Sequence, residues 1–382
     1  MDRNLFDAEH DVYRAALRAL LQKEVSPLYT QWERDGIVPR DLFTRLGGMG
    51  VFGFGVPEQF GGAGLSDFRY SAILLEEAAD LAVMPAAAGA ELQADVCLPY
   101  FTGLATNEQK QRWLPGIVSG EKITAIAMTE PGTGSDLSGI RTRAVRDGDH
   151  YVIDGAKTFI TNGINADLVI VVVRTGDHPH RGLSLIVVER GTVGFERGRN
   201  LDKVGQHAQD TAELSFTGAR VPVANLLGSE GEGFSGLTRN LAQERLSVAT
   251  AGVAQAAAAL RWTIEYVRER TAFGQPIGSF QNTRFTLAEL DTEIDITQQY
   301  IDRCILEHNA GRLTAVDAAR AKWWATDLQG RVVDACVQLH GGYGYMLEYP
   351  VARAWIDSRV SRIYAGTNEI MKEIVGRSLE LG

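Results

Sequence analysis

A carboxylate inside an apolar helical stripe is the first candidate for chemistry in this chain. The stripe has spacings of four, three, four and three residues: Leu237, Leu241, Glu244, Val248 and Ala251. This pattern places Glu244 on a face that should be buried, where a carboxylate needs a partner or a raised pKa, as is common at sites of proton transfer. The alternative is a Glu at the edge of the stripe that reaches solvent.

The neighbouring Arg245 does not form a facing ion pair with Glu244, since adjacent residues of a helix point in different directions. Four other stretches combine glycines with polar residues: 126–136 (IAMTEPGTGSD), 159–163 (FITNG), 338–342 (QLHGG) and 363–370 (IYAGTNEI). Taken singly, the first suits a strand that enters a Gly-Pro turn, and the third suits a helix C-cap. Their order along the chain is harder to explain by packing, so we expect them to carry function.

The hydrophobic period divides the chain into three parts that would position these stretches. Helical spacing predicts helices at 4–26, 66–80, 84–101 and 107–118. A period of two, with Gly, Asp or Asn turns, predicts strands at 123–128, 141–146, 151–153, 157–161, 168–173, 183–189 and 212–216. After the glycine-rich stretch 228–233, long helices are predicted at 234–270, 283–309, 314–339 and 367–379.

This succession predicts an α+β multidomain protein. We expect an N-terminal α-helical domain (1–122), a middle β-sandwich or barrel domain (123–232) and a C-terminal four-helix bundle (233–382). The glycines of residues 57–64 (PEQFGGAG) could be read as a phosphate cradle. No strand–turn–helix unit surrounds them, so we reject that interpretation.

Composition narrows the classes of partner. A chain of 382 residues with 45% hydrophobic content can bury a large core, and a net charge of −10 argues against general affinity for nucleic acid or anionic membranes. No segment has the length of a membrane span, and the first thirteen residues lack the apolar run of a signal peptide. Cys97, Cys304 and Cys336 are far apart in apolar segments, which favours reduced core thiols over disulfides or a metal site. We therefore expect a cytoplasmic protein without a metal.

Together the motifs resemble the acyl-CoA dehydrogenase family over essentially the whole chain. The stretches 242–246 (AQERL), 270–274 (RTAFG) and 366–373 (GTNEIMKE) most resemble the long-chain and isovaleryl-type branch. The resemblance implies oxidation of a fatty acyl-CoA to trans-2-enoyl-CoA, in which a carboxylate takes the α-proton and FAD takes hydride from the β-carbon. It also implies a homotetramer, built as a dimer of dimers, and electron-transfer flavoprotein as the electron acceptor.

The same resemblance implies a non-covalent FAD between the β domain, the bundle and a neighbouring subunit. Contacts along the flavin are expected from Ile126, Met128, Thr129, Gly134 and Ser135, with Phe159, Ile160 and Thr161 on the other side of the ring. Many relatives carry Trp where this chain has Phe159, so the aromatic cover is kept and the indole donor is lost. Arg270 and Gln281, contributed across the subunit interface, would hold the pyrophosphate. The remaining cofactor contacts are expected from Phe273, Gln338, Leu339, Gly341, Gly342, Thr367, Asn368 and Glu369.

The reaction needs a base, and here the chain departs from the commonest family pattern. An α-proton beside a thioester is too weak an acid for a carboxylate in water, so the site must stabilise charge on the carbonyl oxygen and desolvate the base. Many relatives place the Glu just before the Gly-Thr pair, where this chain has Ala365. The long-chain and isovaleryl-type branch carries it on another helix, at the position of Glu244. The resemblance thus assigns the base to Glu244 and the N–H that holds the oxygen to Ala365.

Substrate contacts are implied for Ser135, His180, Arg181, Ser235, Gln243, Arg245 and Gly366. The His180-Arg181 turn has the alternative of being simply solvated, and Asp136 and Glu369 suit loop capping better than chemistry. Two other functions remain open: the same oxidation on an acyl-carrier-protein thioester in a biosynthetic pathway, and a non-catalytic flavin-binding subunit, for which Ala365 is the support. The chain is shorter than typical acyl-CoA oxidases of this fold, which disfavours an oxidase.

Overall fold

Seven α-helices and two π-helical turns occupy the first third of residues 3–380, the part of the chain described by the computed structural model. The helices are α1 (Ala8–Leu20), α2 (Tyr29–Asp35), α3 (Asp41–Gly48), α4 (Arg69–Asp80), α5 (Met84–Glu91), α6 (Leu98–Leu104) and α7 (Asn107–Val118). The π-helical turns are Leu21–Val25, which continues α1, and Leu92–Cys97, which joins α5 to α6. The outermost residues of the predicted first and last domains, 1, 2, 381 and 382, lie outside the described part.

The predicted helix over 84–101 is present, but its middle is the π-helical turn. The hydrophobic period does not predict α2 and α3, because helices of seven and eight residues offer too few turns to show a period. The start of α7 follows from its cap: the side chain of Thr106 accepts a hydrogen bond from the backbone N–H of Gln109, and the Gln109 side chain accepts from the Thr106 backbone.

Eight strands form one continuous sheet in the middle of the chain. They are β1 (Thr124–Ala127), β2 (Arg143–Asp147), β3 (His150–Thr161), β4 (Leu168–Arg174), β5 (Leu183–Glu189), β6 (Phe195–Asn200), β7 (Thr211–Pro222) and β8 (Leu226–Leu227). Their order is β6-β7-β3-β2-β4-β5-β8, and β1 pairs in parallel with β4. The strands predicted at 151–153 and 157–161 are one strand, β3, whose pairing with β7 shifts register between them. The period of two does not predict β6, because its sequence (FERGRN) is polar on both faces.

Both faces of the sheet are buried at β4 and β5, which explains why β4 is a continuous apolar run. Alternate residues of β4 enter two different cores. Leu168, Ile170 and Val172 pack against the N-terminal helices. Val169, Val171 and Val173 pack with residues of β3 and β7. The sheet therefore has a helix-covered face and an inner face of its own.

Five helices complete the fold: α8 (Gly233–Glu269), α9 (Gln281–Asn309), α10 (Ala315–His340), α11 (Pro350–Ser358) and α12 (Asn368–Arg377). Four of them were expected; α11 is too short for the period and begins with Pro350, a residue suited to the first turn. A short hairpin of β9 (Thr271–Ala272) and β10 (Gln275–Pro276) links α8 to α9. Small residues let α8 and α10 approach closely, since a Cβ at Gly252 would lie 3.4 Å from the Ala325 backbone. Among residues 3–380, none of the helices is long and apolar enough to cross a membrane.

A buried ion pair fixes the segment that follows β1. The Lys157 ammonium, fully buried on β3, donates to the backbone carbonyl of Met128 at 3.0 Å and to Oε1 of Glu130 at 2.9 Å. The Glu130 carboxylate also accepts from the backbone N–H groups of Arg141 and Thr142, each at 2.8 Å. These contacts anchor residues 128–130 before the glycine-rich turn. Glu130 is therefore structural, as its position beside Pro131 suggests.

We expect Lys157→Met to lower the free energy of unfolding by about 3 kcal/mol, because a buried carboxylate would lose its cation. Chemical denaturation of the purified protein measures this loss. The double variant Lys157→Met with Glu130→Gln should lose less than Lys157→Met alone, since a neutral amide needs no cation. A double variant whose loss equals the sum of the two single losses would show that the pair is not coupled.

Candidate active site

Glu244 is buried on α8 and faces a tyrosine. Its side chain is 3% exposed, and the hydroxyl of Tyr100 donates to its Oε1 at 2.9 Å. Burial raises the pKa of the Glu244 carboxyl to about 7, while the Tyr100 hydrogen bond and the charge of Arg245 act in the opposite direction. The alternative of a Glu that reaches solvent is wrong. At neutral pH this group is poised between its acid and its carboxylate forms.

Tyr100 is a partner that the hydrophobic pattern does not identify. It lies on α6, fully buried, and burial together with the charge of Glu244 raises the pKa of its phenol well above the usual value. The phenol therefore remains a donor across the working pH range and holds the carboxyl in one orientation. The available signal is a hydroxyl within the apolar run 97–101 (CLPYF), since a buried Tyr hydroxyl usually finds a hydrogen-bond partner.

A second carboxyl cluster lies one helical turn along α8. The Ser247 hydroxyl contacts Oε1 of Glu91 at 2.8 Å and Oδ2 of Asp95 at 2.7 Å, and Ser71 donates to the other oxygen of Asp95 at 2.6 Å. One hydroxyl has one hydrogen, so two ionised carboxylates cannot both accept from Ser247. Burial raises the pKa of Glu91 to about 7 and that of Asp95 to about 6. The raised pKa of Glu91 favours its protonated form, in which both carboxyls can contact Ser247, and sequence reasoning did not find this cluster.

The turn that carries Ala365 has an unusual backbone. Ala365 has a φ of 51° and Gly366 a φ of 86°, so two consecutive residues are left-handed. For a residue with a Cβ this costs on the order of 1–2 kcal/mol, and such strain clusters at functional sites. Next along the chain, Thr367 caps α12 by accepting from the N–H of Ile370. The turn is thus held between a 3₁₀ helix and the start of α12.

Asn368 departs from the prediction that it contacts the cofactor. It is buried, and its amide nitrogen donates to the carbonyl of Trp323 and to the hydroxyl of Thr326 on α10. Its oxygen accepts from the ammonium of Lys322. The whole side chain is used within the bundle, which leaves it no group for a ligand. Glu369 is exposed at the first turn of α12, where loop capping was expected.

The two stretches predicted to enclose the flavin lie side by side. The N–H of Thr158 donates to the carbonyl of Thr129 at 2.9 Å, so the residues after β1 run beside the end of β3. Phe159 is 69% exposed and has a φ of 60°. An exposed aromatic ring on strained backbone marks a ligand site more often than a packing site. The structure therefore brings the predicted segments together.

Within these stretches the side chains divide into two groups. The side chains of Ile126 and Ile160 pack in apolar cores, so the contacts predicted for these two residues would come from their backbones. The others are partly or fully exposed: Met128, Thr129, Gly134, Ser135 and Thr161.

An open cleft of about 540 Å³ gathers most of the residues predicted for the pyrophosphate end. Its walls include Arg270, Gln338, Leu339, Gly341 and Gly342. The buried ring of His340 supports this turn, stacking on Tyr266 and contacting the Cys336 carbonyl through Nδ1 at 2.8 Å. Gln281, the first residue of α9, and Phe273, at the tip of the β9-β10 hairpin, lie outside its walls. Phe273 is 96% exposed.

The turn with His180 and Arg181 packs onto the start of α8. The ring of His180 lies 4.5 Å from that of Phe234, next to Ser235, whose hydroxyl donates to the Glu232 carbonyl. The hydrogen bond from Ser138 lowers the pKa of Asp136, and the charge of His180 lowers it further. The stretch with Ser135 therefore lies near the same place. Four predicted substrate contacts, Ser135, His180, Arg181 and Ser235, converge.

Gln243 and Arg245 depart from this group. The amide nitrogen of Gln243 donates to the backbone carbonyl of Asp95 at 2.9 Å. Arg245 is buried, its charge acts on Lys322 of α10, and its Nε has no hydrogen-bond partner within residues 3–380. Gln243 is partly buried and Arg245 is buried, and their contact with a substrate stays a prediction.

Family models match three consecutive parts of this chain. They describe the N-terminal domain of acyl-CoA dehydrogenase at residues 7–121, its middle domain at 125–219 and its C-terminal domain at 231–380. The chain belongs to the acyl-CoA dehydrogenase family. The predicted family and fold are thereby confirmed, and the chain is an oxidoreductase of this family.

Known proteins and solved structures match this chain along nearly its whole length. Long-chain specific acyl-CoA dehydrogenase, mitochondrial, of Rattus norvegicus is 44% identical over 381 residues, which cover 99% of this chain and 88% of the rat protein. A crystal structure of acyl-CoA dehydrogenase from Geobacillus kaustophilus superposes with a TM-score of 0.97 at 50% identity, with full coverage of both chains. A structure described as the electron transferring flavoprotein of Acidaminococcus fermentans superposes with a TM-score of 0.94 at 33% identity, also with full coverage of both.

Acyl-CoA dehydrogenases depend on FAD, and two features of this chain fit that cofactor. The exposed Phe159 beside Thr129 offers an aromatic face to a flavin ring. The cleft offers the Arg270 guanidinium to a pyrophosphate, and a Cβ built at Gly341 or Gly342 would meet no atom within 4 Å. Open backbone of this kind lets a ligand approach closely.

We expect Glu244→Gln to raise the melting temperature Tm by roughly 3–6 °C at pH 8 and to leave it near the wild-type value at pH 5. The Glu244 pKa is about 7 in the folded chain, against an ordinary value of 4.5. The folded state therefore loses stability as the pH rises from about 4.5 through 7, whereas a glutamine does not titrate.

Thermal denaturation of the FAD-loaded protein between pH 5 and 8 measures the effect. Glu265→Gln is the matched control, because it removes an exposed carboxylate from the same helix and leaves Glu244 in place. A Tm difference for Glu244→Gln that is the same at both ends of the pH range would contradict a raised pKa.

Proposed function

We propose that this chain oxidises a fatty acyl-CoA to trans-2-enoyl-CoA, with Glu244 as the base that removes the α-proton. The observation that carries the proposal is the buried Glu244 carboxyl, held by Tyr100 and raised in pKa to about 7. A base with this pKa is ionised enough at neutral pH to accept a proton and basic enough to remove one. When bound, FAD supplies the acceptor for hydride from the β-carbon.

Ala365 would supply the second requirement of the reaction, which is a donor to the thioester oxygen. The α-proton becomes acidic only if the charge that develops on the thioester oxygen is stabilised by fixed donors. The Ala365 N–H, in the left-handed turn at Ala365 and Gly366, would take this role, and residue 365 has no side-chain carboxylate. The missing loop carboxylate was the support for a non-catalytic subunit, and the buried Glu244 offers a base in its place.

Replacing Glu244 with glutamine should slow anaerobic bleaching of the flavin by acyl-CoA at least about 100-fold, because the general base is removed. The variant should keep its FAD, since Glu244 faces Tyr100 and not the pyrophosphate cleft. Stopped-flow absorbance in the flavin band measures the rate. Wild-type bleaching should quicken as the pH rises through about 7, where Glu244 ionises.

The control for this test is again Glu265→Gln, which removes an exposed carboxylate from the same helix. If Glu244→Gln bleached the flavin at the wild-type rate, the assignment of Glu244 as the base would be wrong. Comparing palmitoyl-CoA with the same acyl group on acyl carrier protein tests the carrier alternative. We propose long acyl chains on CoA as the preferred class, supported by similarity to the rat long-chain enzyme.

We also propose that the FAD site is completed by a second subunit, within a dimer-of-dimers tetramer. Two features support this: the cleft around Arg270 is open to one side, and Phe273 beside it exposes its whole ring on a strained hairpin. An apolar ring of this size is rarely left in water on a monomer. Arg270 and Gln281 of each subunit would then bind the pyrophosphate held mainly by its neighbour.

We expect Arg270→Met to lose FAD on dialysis, because the bidentate donor to the pyrophosphate is removed. The ratio of flavin to protein absorbance measures retention, and added FAD should restore it. Arg268→Met is the matched control, since Arg268 is also exposed on the last turn of α8 and lines no part of the cleft. Full FAD retention by Arg270→Met would contradict the proposed site.

The electron acceptor and the compartment complete the proposal. We propose electron-transfer flavoprotein as the acceptor, supported by the structural similarity to the Acidaminococcus fermentans protein. We propose the cytoplasm as the compartment, supported by three buried cysteines that are free thiols: Cys97, Cys304 and Cys336.

A further inference from the structure

Lys322 is a buried cation without an acidic partner. It lies on α10 with no exposed side-chain surface, and its ammonium donates to the carbonyl of Gly366 at 2.8 Å and to Oδ1 of Asn368 at 3.0 Å. Within residues 3–380, no carboxylate oxygen lies within 4 Å of this ammonium. Lys157, the other fully buried lysine, has Glu130 beside it. The Lys322 ammonium instead donates its hydrogen bonds to a backbone carbonyl and to a side-chain amide oxygen.

This arrangement is costly. Burial, together with the charge of Arg245 on α8, lowers the pKa of Lys322 to about 8. The carboxylates of Glu369 on α12 and Asp327 on α10 favour the ammonium, but from beyond ion-pair distance. Charge-assisted hydrogen bonds are stronger than neutral ones, so the two acceptors must offset much of the cost. The positions of these two acceptors therefore indicate which part of the fold Lys322 stabilises.

Both acceptors belong to the turn that carries Ala365. The Gly366 carbonyl lies just after the two left-handed residues, and Asn368 begins α12 and is tied to α10 through Thr326. An alanine with positive φ would relax if the turn were free to move. Lys322 supplies the strongest contact across this turn and ties it to the middle of a long helix.

We propose that Lys322 is a positioning residue, whose hydrogen bond to the Gly366 carbonyl fixes the turn so that the Ala365 N–H points at the thioester oxygen. This inference rests on the proposed function, in which that N–H stabilises the developing charge. Lys322 contacts neither the substrate nor the flavin in this scheme. It acts through the orientation of one peptide group.

Loss of the contact should weaken catalysis more than binding. A displacement of about 1 Å at a reacting centre can cost on the order of 100-fold in rate. We therefore expect Lys322→Met to reduce flavin bleaching by acyl-CoA about 10- to 100-fold, while the dissociation constant of the thioester changes less than about threefold. A purely structural lysine would change FAD content and Tm without separating rate from binding.

The absorption of bound cinnamoyl-CoA reports directly on hydrogen bonds to the thioester oxygen. Its absorption maximum moves to longer wavelength when the thioester oxygen accepts hydrogen bonds, because the conjugated carbonyl becomes polarised. We expect the shift on binding to wild type to fall by more than half in Lys322→Met. Lys203→Met is the matched control: its ammonium also donates to a backbone carbonyl, that of Gln209, and not to the turn at Gly366, so it should keep the full shift.

A full wild-type shift in Lys322→Met, or a slower rate with an unchanged shift, would overturn the inference. A wild-type protein that neither shifts cinnamoyl-CoA nor bleaches with acyl-CoA would instead overturn the proposed function. The two failures are therefore distinct.

If Lys322→Met does not fold, a pH titration of the cinnamoyl-CoA shift in Glu244→Gln tests the same contact. In Glu244→Gln the proposed base no longer titrates, whereas Lys322, whose pKa is lowered to about 8, loses its charge as the pH rises and becomes a weaker donor. The cinnamoyl-CoA shift in that variant should therefore decrease between pH 7 and 9.5. A shift that stays constant over this range would also overturn the inference.

Discussion

The proposed active site depends on one carboxyl group, that of Glu244, being kept out of water by the helices around it. Glu244 lies where α8 crosses α6, and the Tyr100 hydroxyl is the group that replaces its hydration. A buried carboxyl with one hydrogen bond is less stable as an anion than in solvent, which raises its affinity for a proton. The fold accepts this cost, since α8 continues for 37 residues and is packed along much of its length by α4, α9 and α10. A long, well-packed helix can carry one unfavourable group.

The charges around Glu244 are distributed unevenly. On the side of α5 and the π-helical turn lie two more carboxyls, Glu91 and Asp95, which both contact the Ser247 hydroxyl. On the side of α10 lie two cations, Arg245 and Lys322, and burial lowers the pKa of each. In the proposed reaction negative charge moves from the base towards the thioester oxygen beside the Ala365 turn. The cations Arg245 and Lys322 favour negative charge at that turn, whereas Glu91, whose charge acts on the neighbouring Tyr364, opposes it when ionised.

Much of the fold could be predicted because long apolar periods reflect burial directly. The bounds of α7, α8 and β5 follow closely from spacing and capping, whereas α2, α3, α11 and β6 are too short or too polar to show a period. The site divides in the same way. Glu244 interrupts an apolar stripe and can be noticed, and Phe159 lies in a glycine-flanked motif. Tyr100, Ser247 and Lys322 matter through partners distant in sequence, and neither spacing nor composition encodes which residues meet across three packed layers.

The π-helical turn at Leu92–Cys97 has a consequence for the register of the site. Such a turn accommodates one more residue than an α-helical turn, so everything after it is rotated by about 100° relative to a regular helix. Tyr100 follows this turn and faces α8 only with that rotation included. The partner of the base is thus selected by the number of residues that precede it as much as by its chemical type. A relative could retain both the tyrosine and the glutamate and still lose their contact through one deletion upstream.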